Sequence, residues 1–181
     1  VVGDRLYVTG GFSGRGFASS GLFIYDASGD TWVQGTRMFT QRGGHAVVAL
    51  NELLYAIGGE NDRDGQVDTN EVYDPANGEW TSLLPMPSAR DRMGATAHDE
   101  IIYTFGGRRD GVALDVVEIY NPSTNRWRAG SPMPVPLSGS AAVSLGAWIY
   151  LFGGAPVGLD SEVKVRPEVW RSAHWRTAAR R

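Results

Sequence analysis

The chain has 181 residues, 42% hydrophobic and 20% charged, enough for one domain with a real core and too few for two comfortable ones. A formal net charge of −3 argues against nucleic-acid binding by bulk charge. The absence of cysteine excludes disulfides, Cys-ligated zinc, iron–sulfur clusters and cysteine nucleophiles, and no apolar run reaches the ~18 residues of a membrane helix.

The chain opens on Val1-Val2-Gly3-Asp4, without Met, as though midway through a strand hairpin, so a fragment is expected. A strand then leads through Leu6 and Tyr7 to Gly10-Gly11, and a third and fourth strand surround Tyr25 and Trp32. The same order returns in a second unit. His45–Leu50 is apolar, Asn51-Glu52 turns, and Leu53–Ile57 ends at Gly58-Gly59. A polar loop runs over 60–69. Glu71-Val72-Tyr73 is a third strand, Asp74-Pro75-Ala76-Asn77-Gly78 turns, and Glu79–Leu83 is a fourth. Glycine pairs recur at Gly106-Gly107 and Gly153-Gly154, so the steps are 48, 48 and 47 residues. Tyr7, Tyr55, Tyr103 and Tyr150 precede each pair by three. Tyr25, Tyr73 and Tyr120 are each followed seven residues later by Trp32, Trp80 and Trp127, and six further on by Met38, Met86 and Met133. No segment sustains a helical period. A repeated four-stranded antiparallel unit that cannot bury itself alone is a propeller blade.

These residues resemble the kelch family. The marks are the glycine pair after Ile-Tyr or Leu-Tyr, Glu71–Pro75 and its echo Glu118–Pro122, the spaced tryptophan, and Pro-Met-Pro at 85–87 and 132–134. The resemblance spans residues 1–154 and implies an all-β, kelch-type β-propeller, here a partial or open arc of about four blades of four antiparallel strands. The expected blades are 1–43, lacking its innermost strand, 44–91, 92–138, and a degenerate 139–181 with a basic tail from Lys164. Val169-Trp170 and Trp175 are candidates for its outer strands. Kelch propellers serve as substrate receptors, actin-binding modules and carbohydrate enzymes alike, so fold does not fix function.

The glycine pairs serve the backbone, because no helix start follows them as a phosphate loop requires. The tyrosines and tryptophans read as core. Strand alternation puts the tight turns on one face and the long loops on the other, near 12–20, 60–69, 108–114 and 35–43, 84–92, 132–138. Long loops on a rigid scaffold are where binding usually lives. They carry Arg15, Arg37, Arg42, Arg63, Arg90, Arg92, Arg108 and Arg109, a side chain suited to bidentate capture of carboxylates. Arg42 and Arg90 also share a repeat column, ten residues after a tryptophan, where the next repeat has Leu137; a column invites a loop-clamping role instead.

Glu60, Asp62, Asp64, Asp68 and Glu71, with Gly65 between them, follow the spacing of an EF-hand calcium loop, but strands replace the helices and Glu118 repeats Glu71. An acidic hairpin loop is the expectation, with no metal and no cofactor. His45, His98 and His174 fall at unrelated repeat positions, so no Ser–His–Asp set emerges from spacing. Among kelch propellers, the copper oxidases rely on a cysteine-linked tyrosine, which this chain cannot form. The sequence therefore points to an interaction module presenting Arg-rich loops to an acidic protein or peptide, not to nucleic acid or membrane. The missing part of its own chain, or another copy, would complete the propeller. A carbohydrate-modifying propeller of the sialate mutarotase kind, or a sugar-binding one, is the alternative.

Overall fold

The computed structural model describes residues 1–156, 169–171 and 176–177. Every regular element among them is a strand. The chain divides into two compact units, Val1–Ala89 and Arg90–Arg181.

In the first unit, β1 (Arg5–Thr9), β2 (Leu22–Asp26) and β3 (Thr31–Gly35) form a three-stranded antiparallel sheet. Among the described residues no strand pairs with β1 on its inner side; Val2 makes only an isolated bridge to Arg5. The next sheet is complete. It comprises β4 (Ala46–Leu50), β5 (Leu53–Ile57), β8 (Asn70–Asp74) and β9 (Glu79–Leu83) in that spatial order. Within its long loop, β6 (Glu60–Asn61) and β7 (Gly65–Gln66) form a small ribbon. The β4–β5 turn has φ of 51° at Asn51 and 61° at Glu52, the left-handed pair that a two-residue hairpin demands.

The second unit repeats the plan. β10 (Gly94–His98), β11 (Ile101–Phe105), β14 (Val117–Asn121) and β15 (Arg126–Ala129) form one sheet, with a ribbon of β12 (Arg108–Arg109) and β13 (Val112–Ala113) in its loop. The last sheet comprises β16 (Ser138–Leu145), β17 (Trp148–Ala155), β18 (Val169–Arg171) and β19 (Arg176–Thr177). Val169 and Trp170 thus lie on a third strand. Trp175 and Lys164 lie outside the described residues.

Each unit has a core between its two sheets. In the first, Tyr7, Leu22, Ile24 and Met38 pack on Leu54, Ala56, Tyr73 and Trp80. In the second, Phe105, Val117, Ile119, Met133 and Leu137 pack on Ile149 and Leu151. The periodic tyrosines and tryptophans are therefore packing residues. Tyr73 and Trp80 sit with ring centroids 5.2 Å apart, and the Trp80 indole donates to the Thr36 carbonyl at 2.9 Å. At the Gly106-Gly107 pair both backbone and space require glycine. Gly106 has φ of 59°, and a Cβ there would stand 2.2 Å from the Leu137 carbonyl oxygen.

Candidate functional site

Eight arginines enter as candidates, four in each unit, and the structure separates them into two kinds. Arg42 leaves the β3–β4 connector and turns inward, with no exposed surface. Its Nη1 donates to the carbonyls of Ala56, Gly58 and Thr69 at 3.3, 3.2 and 2.9 Å, and its Nη2 to the carboxylate of Glu71. Glu71 also accepts the backbone N–H groups of Phe39 at 2.8 Å and Thr40 at 3.1 Å. The pair ties the connector to the sheet that follows it. In the second unit, Arg90 is equally buried; its Nη1 meets Glu118 at 2.5 Å and its Nη2 donates to the Thr104 hydroxyl at 2.8 Å. Burial pulls both guanidinium groups below their ordinary pKa, and the facing carboxylates oppose the fall.

Arg42 and Arg90 are therefore buried loop clamps with no exposed surface. The deciding signal lay in a second column, since Glu71 follows Arg42 by 29 residues and Glu118 follows Arg90 by 28. Arg108 and Arg92 are also engaged. The fully buried Asp91 takes Arg108 Nη2 at 2.9 Å and Arg92 Nε at 3.3 Å. Arg92 keeps half its surface exposed. Arg63 and Arg109 approach their neighbours Asp64 and Asp110 only at 3.8 and 3.9 Å, contacts of little weight on an open surface. Arg15 and Arg37 are exposed.

Around Arg63 the first unit has a cleft of about 550 Å³, a size suited to a small ligand or a few peptide side chains. Three loops build it. The β1–β2 loop supplies Phe17 and Ser20, the β3–β4 connector Phe39, Thr40 and Gln41, and the β6–β7 turn residues 61–64. Phe17 and Phe39 are both more than 60% exposed, an unusual state for two large aromatic rings in one depression. The walls are fixed from behind. Glu71 holds the amides of Phe39 and Thr40, Asp62 accepts the Ala18 N–H at 3.1 Å, and the Asn61 side chain accepts the N–H groups of Arg63 and Asp64 at 2.9 and 2.7 Å.

Hydrogen bonds engage four of the five acidic side chains of the loop, Glu60, Asp62, Asp64 and Glu71. Glu71 points into the clamp, Asp62 braces the β1–β2 loop, and Asp64 accepts the Asn61 amide at 3.3 Å. Glu60 accepts from the Gln66 amide, and Asp68 accepts the Met86 N–H at its backbone carbonyl. Among the described residues no three acidic or His side chains gather where a metal ion could sit.

Two histidines behave differently from any reading of spacing. Both ring nitrogens of His45 are shut off from solvent without a hydrogen-bond partner, and burial, helped by the nearby Arg42 cation, lowers its pKa to about 4. His98 sits between Ser144, 2.8 Å from Nδ1, and Asp99, 3.3 Å from Nε2. The order has the atoms of a nucleophilic relay, but Asp99 is 89% exposed and holds the ring weakly. His98 is a bond between two sheets of its unit.

The model of the KLHDC2/KLHL20/DRC7 Kelch-repeats domain matches residues 1–170. The chain belongs to the kelch-repeat family. A search of curated proteins finds no match. Among solved structures, the one described as "Structure of YjhT" superposes with a TM-score of 0.83 at 15% identity, covering 99% of this chain and 68% of that one. At that identity the likeness speaks for fold alone, and the fold is an all-β, kelch-type propeller. Kelch-repeat domains are interaction modules in general, and this one has the rigid sheets and long loops that the role needs.

Proposed function

We propose that this kelch-repeat domain binds a short peptide segment of a partner protein in the cleft of its first unit. An apolar side chain of the partner would lie between Phe17 and Phe39, and an acidic residue beside it would meet Arg63. The observation that carries the reading is the pair of exposed phenylalanines on loops held by buried hydrogen bonds. Exposing two such rings costs solvation that a partner recovers, and the fixed walls reduce the ordering cost of binding. Arg63 beside the cleft, exposed and only loosely paired with Asp64, supplies the acidic preference; the buried Arg42 and Arg90 have no part in it.

Selection of a random peptide display library on the purified chain tests this. Recovered peptides should pair an apolar or aromatic residue with Asp or Glu. Phe39→Ala should abolish the enrichment, and Arg63→Glu should remove the acidic preference while keeping the apolar one. Enrichment that ignores both substitutions would refute the cleft as the site. A positive glycan array with no peptide enrichment would favour the sugar-binding alternative.

A further inference from the structure

The cleft of the first unit departs from the repeat at three positions. Phe17 stands where the second repeat has Gly65, and Phe39 follows Met38 where Pro87 and Pro134 follow Met86 and Met133. The third departure is Ser20. Its carbonyl accepts the Met38 N–H at 2.9 Å, as the carbonyls of Asp68 and Asp115 accept those of Met86 and Met133 at 2.8 Å. The backbone role of the column is unchanged, while its side chain passes from carboxylate to hydroxyl. Asp68 and Asp115 are exposed. Ser20 is 7% exposed and lines the cleft, which makes it the floor.

Burial explains why the carboxylate is gone. An ionised group shut in below two phenyl rings without a cation is costly, and a hydroxyl is far less so. Burial does not explain why a polar group remains, since alanine would keep the carbonyl and leave nothing to satisfy. Among the described residues the Ser20 hydroxyl has no hydrogen-bond partner. Unlike the hydroxyls of Thr9 and Ser140, which are sealed from solvent, it opens on the cleft. Its place is fixed from both sides, because Arg42 N–H donates to the Ser19 carbonyl at 2.9 Å and Gly10 N–H to that of Gly21 at 2.8 Å. Local rules broken together around one depression mark a site rather than a fold requirement.

We infer, on the reading that this cleft takes a peptide, that the side chain it selects is tyrosine. The ring would pack against Phe17 and Phe39, and the phenol at its far end would share a hydrogen bond with Ser20 Oγ. A hydroxyl both donates and accepts, so phenol and serine match in either sense. Leucine or phenylalanine would fill the same walls but cover the Ser20 hydroxyl with carbon, leaving it dry and unbonded. Tryptophan carries its N–H on the side of the ring, toward a phenyl wall instead of the floor. Phosphate on the tyrosine would bring nearly two negative charges to a neutral floor flanked by Asp62 and Asp64, so phosphorylation of the partner would release it.

The test is an acetylated hexapeptide with Tyr-Glu at its centre, and its Phe, Leu and phosphotyrosine counterparts, each titrated into the 181-residue chain and followed by amide chemical shifts. The Tyr peptide should bind about tenfold more tightly than the Phe and Leu peptides, and the phosphotyrosine peptide most weakly. Ser20→Ala should erase that tenfold and leave the Phe peptide where it was, with circular dichroism unchanged, because the fold uses only the Ser20 carbonyl. The comparison of peptides on the wild-type chain decides the matter even if Ser20→Ala fails to fold. Equal affinity for the Tyr and Phe peptides, both lost in Phe39→Ala, overturns the tyrosine assignment and leaves the cleft reading intact. So does a tyrosine preference that survives Ser20→Ala, or a phosphotyrosine peptide that binds as tightly as the Tyr one. Shifts from none of the peptides, or shifts that Phe39→Ala leaves unchanged, bring down the assignment and the cleft reading together.

Discussion

Arg42 lies in a column that sequence leaves open between partner capture and loop clamping and that the structure buries, and the two roles differ in what its loss does to folding. Replacing it by Met keeps most of the volume and removes the charge. The Glu71 carboxylate is then left 2% exposed with no cation, and the Ala56 and Gly58 carbonyls lose a donor. Breaking a buried pair from one side costs about 3–5 kcal/mol. The amides of Phe39 and Thr40 still solvate Glu71, which puts the expectation near the lower end, about 3 kcal/mol. For a chain of this length each kcal/mol moves the melting midpoint by roughly 2–4 °C, so a fall of about 10 °C is expected. Denaturant titration followed by tryptophan fluorescence reads it. Glu71→Leu should cost a similar amount, because it strands the Arg42 cation and two amides together. The double variant should cost less than the sum by at least about 2 kcal/mol, since neither partner is then left charged and alone. Arg63→Met, at an exposed site, should change stability by under about 0.5 kcal/mol. A loss below about 1 kcal/mol for Arg42→Met, additive with Glu71→Leu, would refute the clamp and return Arg42 to the surface role.

Three further outcomes follow from the same geometry. His45 has a folded pKa of about 4 against 6.5 for the free side chain, so between those values the unfolded chain binds more protons; stability should fall as pH drops through that window, by about 3 kcal/mol in all, and His45→Gln should lose that part of the slope. Glu52 holds φ of 61° in the β4–β5 turn, so Glu52→Gly should stabilise the chain by about 0.5–1 kcal/mol in denaturant titration; no gain would mean that the turn carries no strain. Millimolar calcium should leave the melting temperature where chelator leaves it, because Glu71 and Asp62 are already committed; an upward shift of several degrees that Asp64→Asn removes would show the loop to be a calcium site after all.

The strands were legible because a period of about 48 residues makes each column repeat its own evidence. Tyr55 and Tyr103 mark inner strands, Trp80 and Trp127 outer ones, and the glycine pairs the strand ends. The ribbon β6–β7 was not legible, since two-residue strands carry no periodicity and residues 60–69 read simply as polar. The cleft was hidden for a different reason. Its walls come from loops near residues 17–20, 39–41 and 61–64, and no spacing along the chain brings Phe17 beside Phe39 and Asn61. The arginine column was visible, but its direction was not, because a side chain aimed at a partner and one aimed at the next sheet leave the same spacing. Burial was equally beyond reach. Trp32 and Trp80 occupy one column in one sequence context, and only the presence of a covering sheet makes one exposed and the other buried.

The arginine column contains a natural comparison that bears on why the clamps exist. Leu137 stands where Arg42 and Arg90 stand, and it is buried among Ile149, Leu151 and Met133. The backbone there does not notice the exchange. Gly107 N–H donates to the Leu137 carbonyl at 2.8 Å, just as Gly11 N–H donates to that of Arg42 at 2.9 Å. An apolar side chain therefore suffices to seat the connector, as expected when a buried ion pair and a well-packed apolar group are close in free energy. What leucine cannot do is bring a carboxylate into the interior with spare lone pairs. Glu71 uses its own to hold the amides of Phe39 and Thr40, and those residues form one wall of the cleft. The charged clamp thus contributes position more than stability. By that argument, an Arg42→Leu, Glu71→Leu chain that folds well should still bind cleft peptides more weakly than the wild type, because Phe39 would have lost the bonds that fix its place.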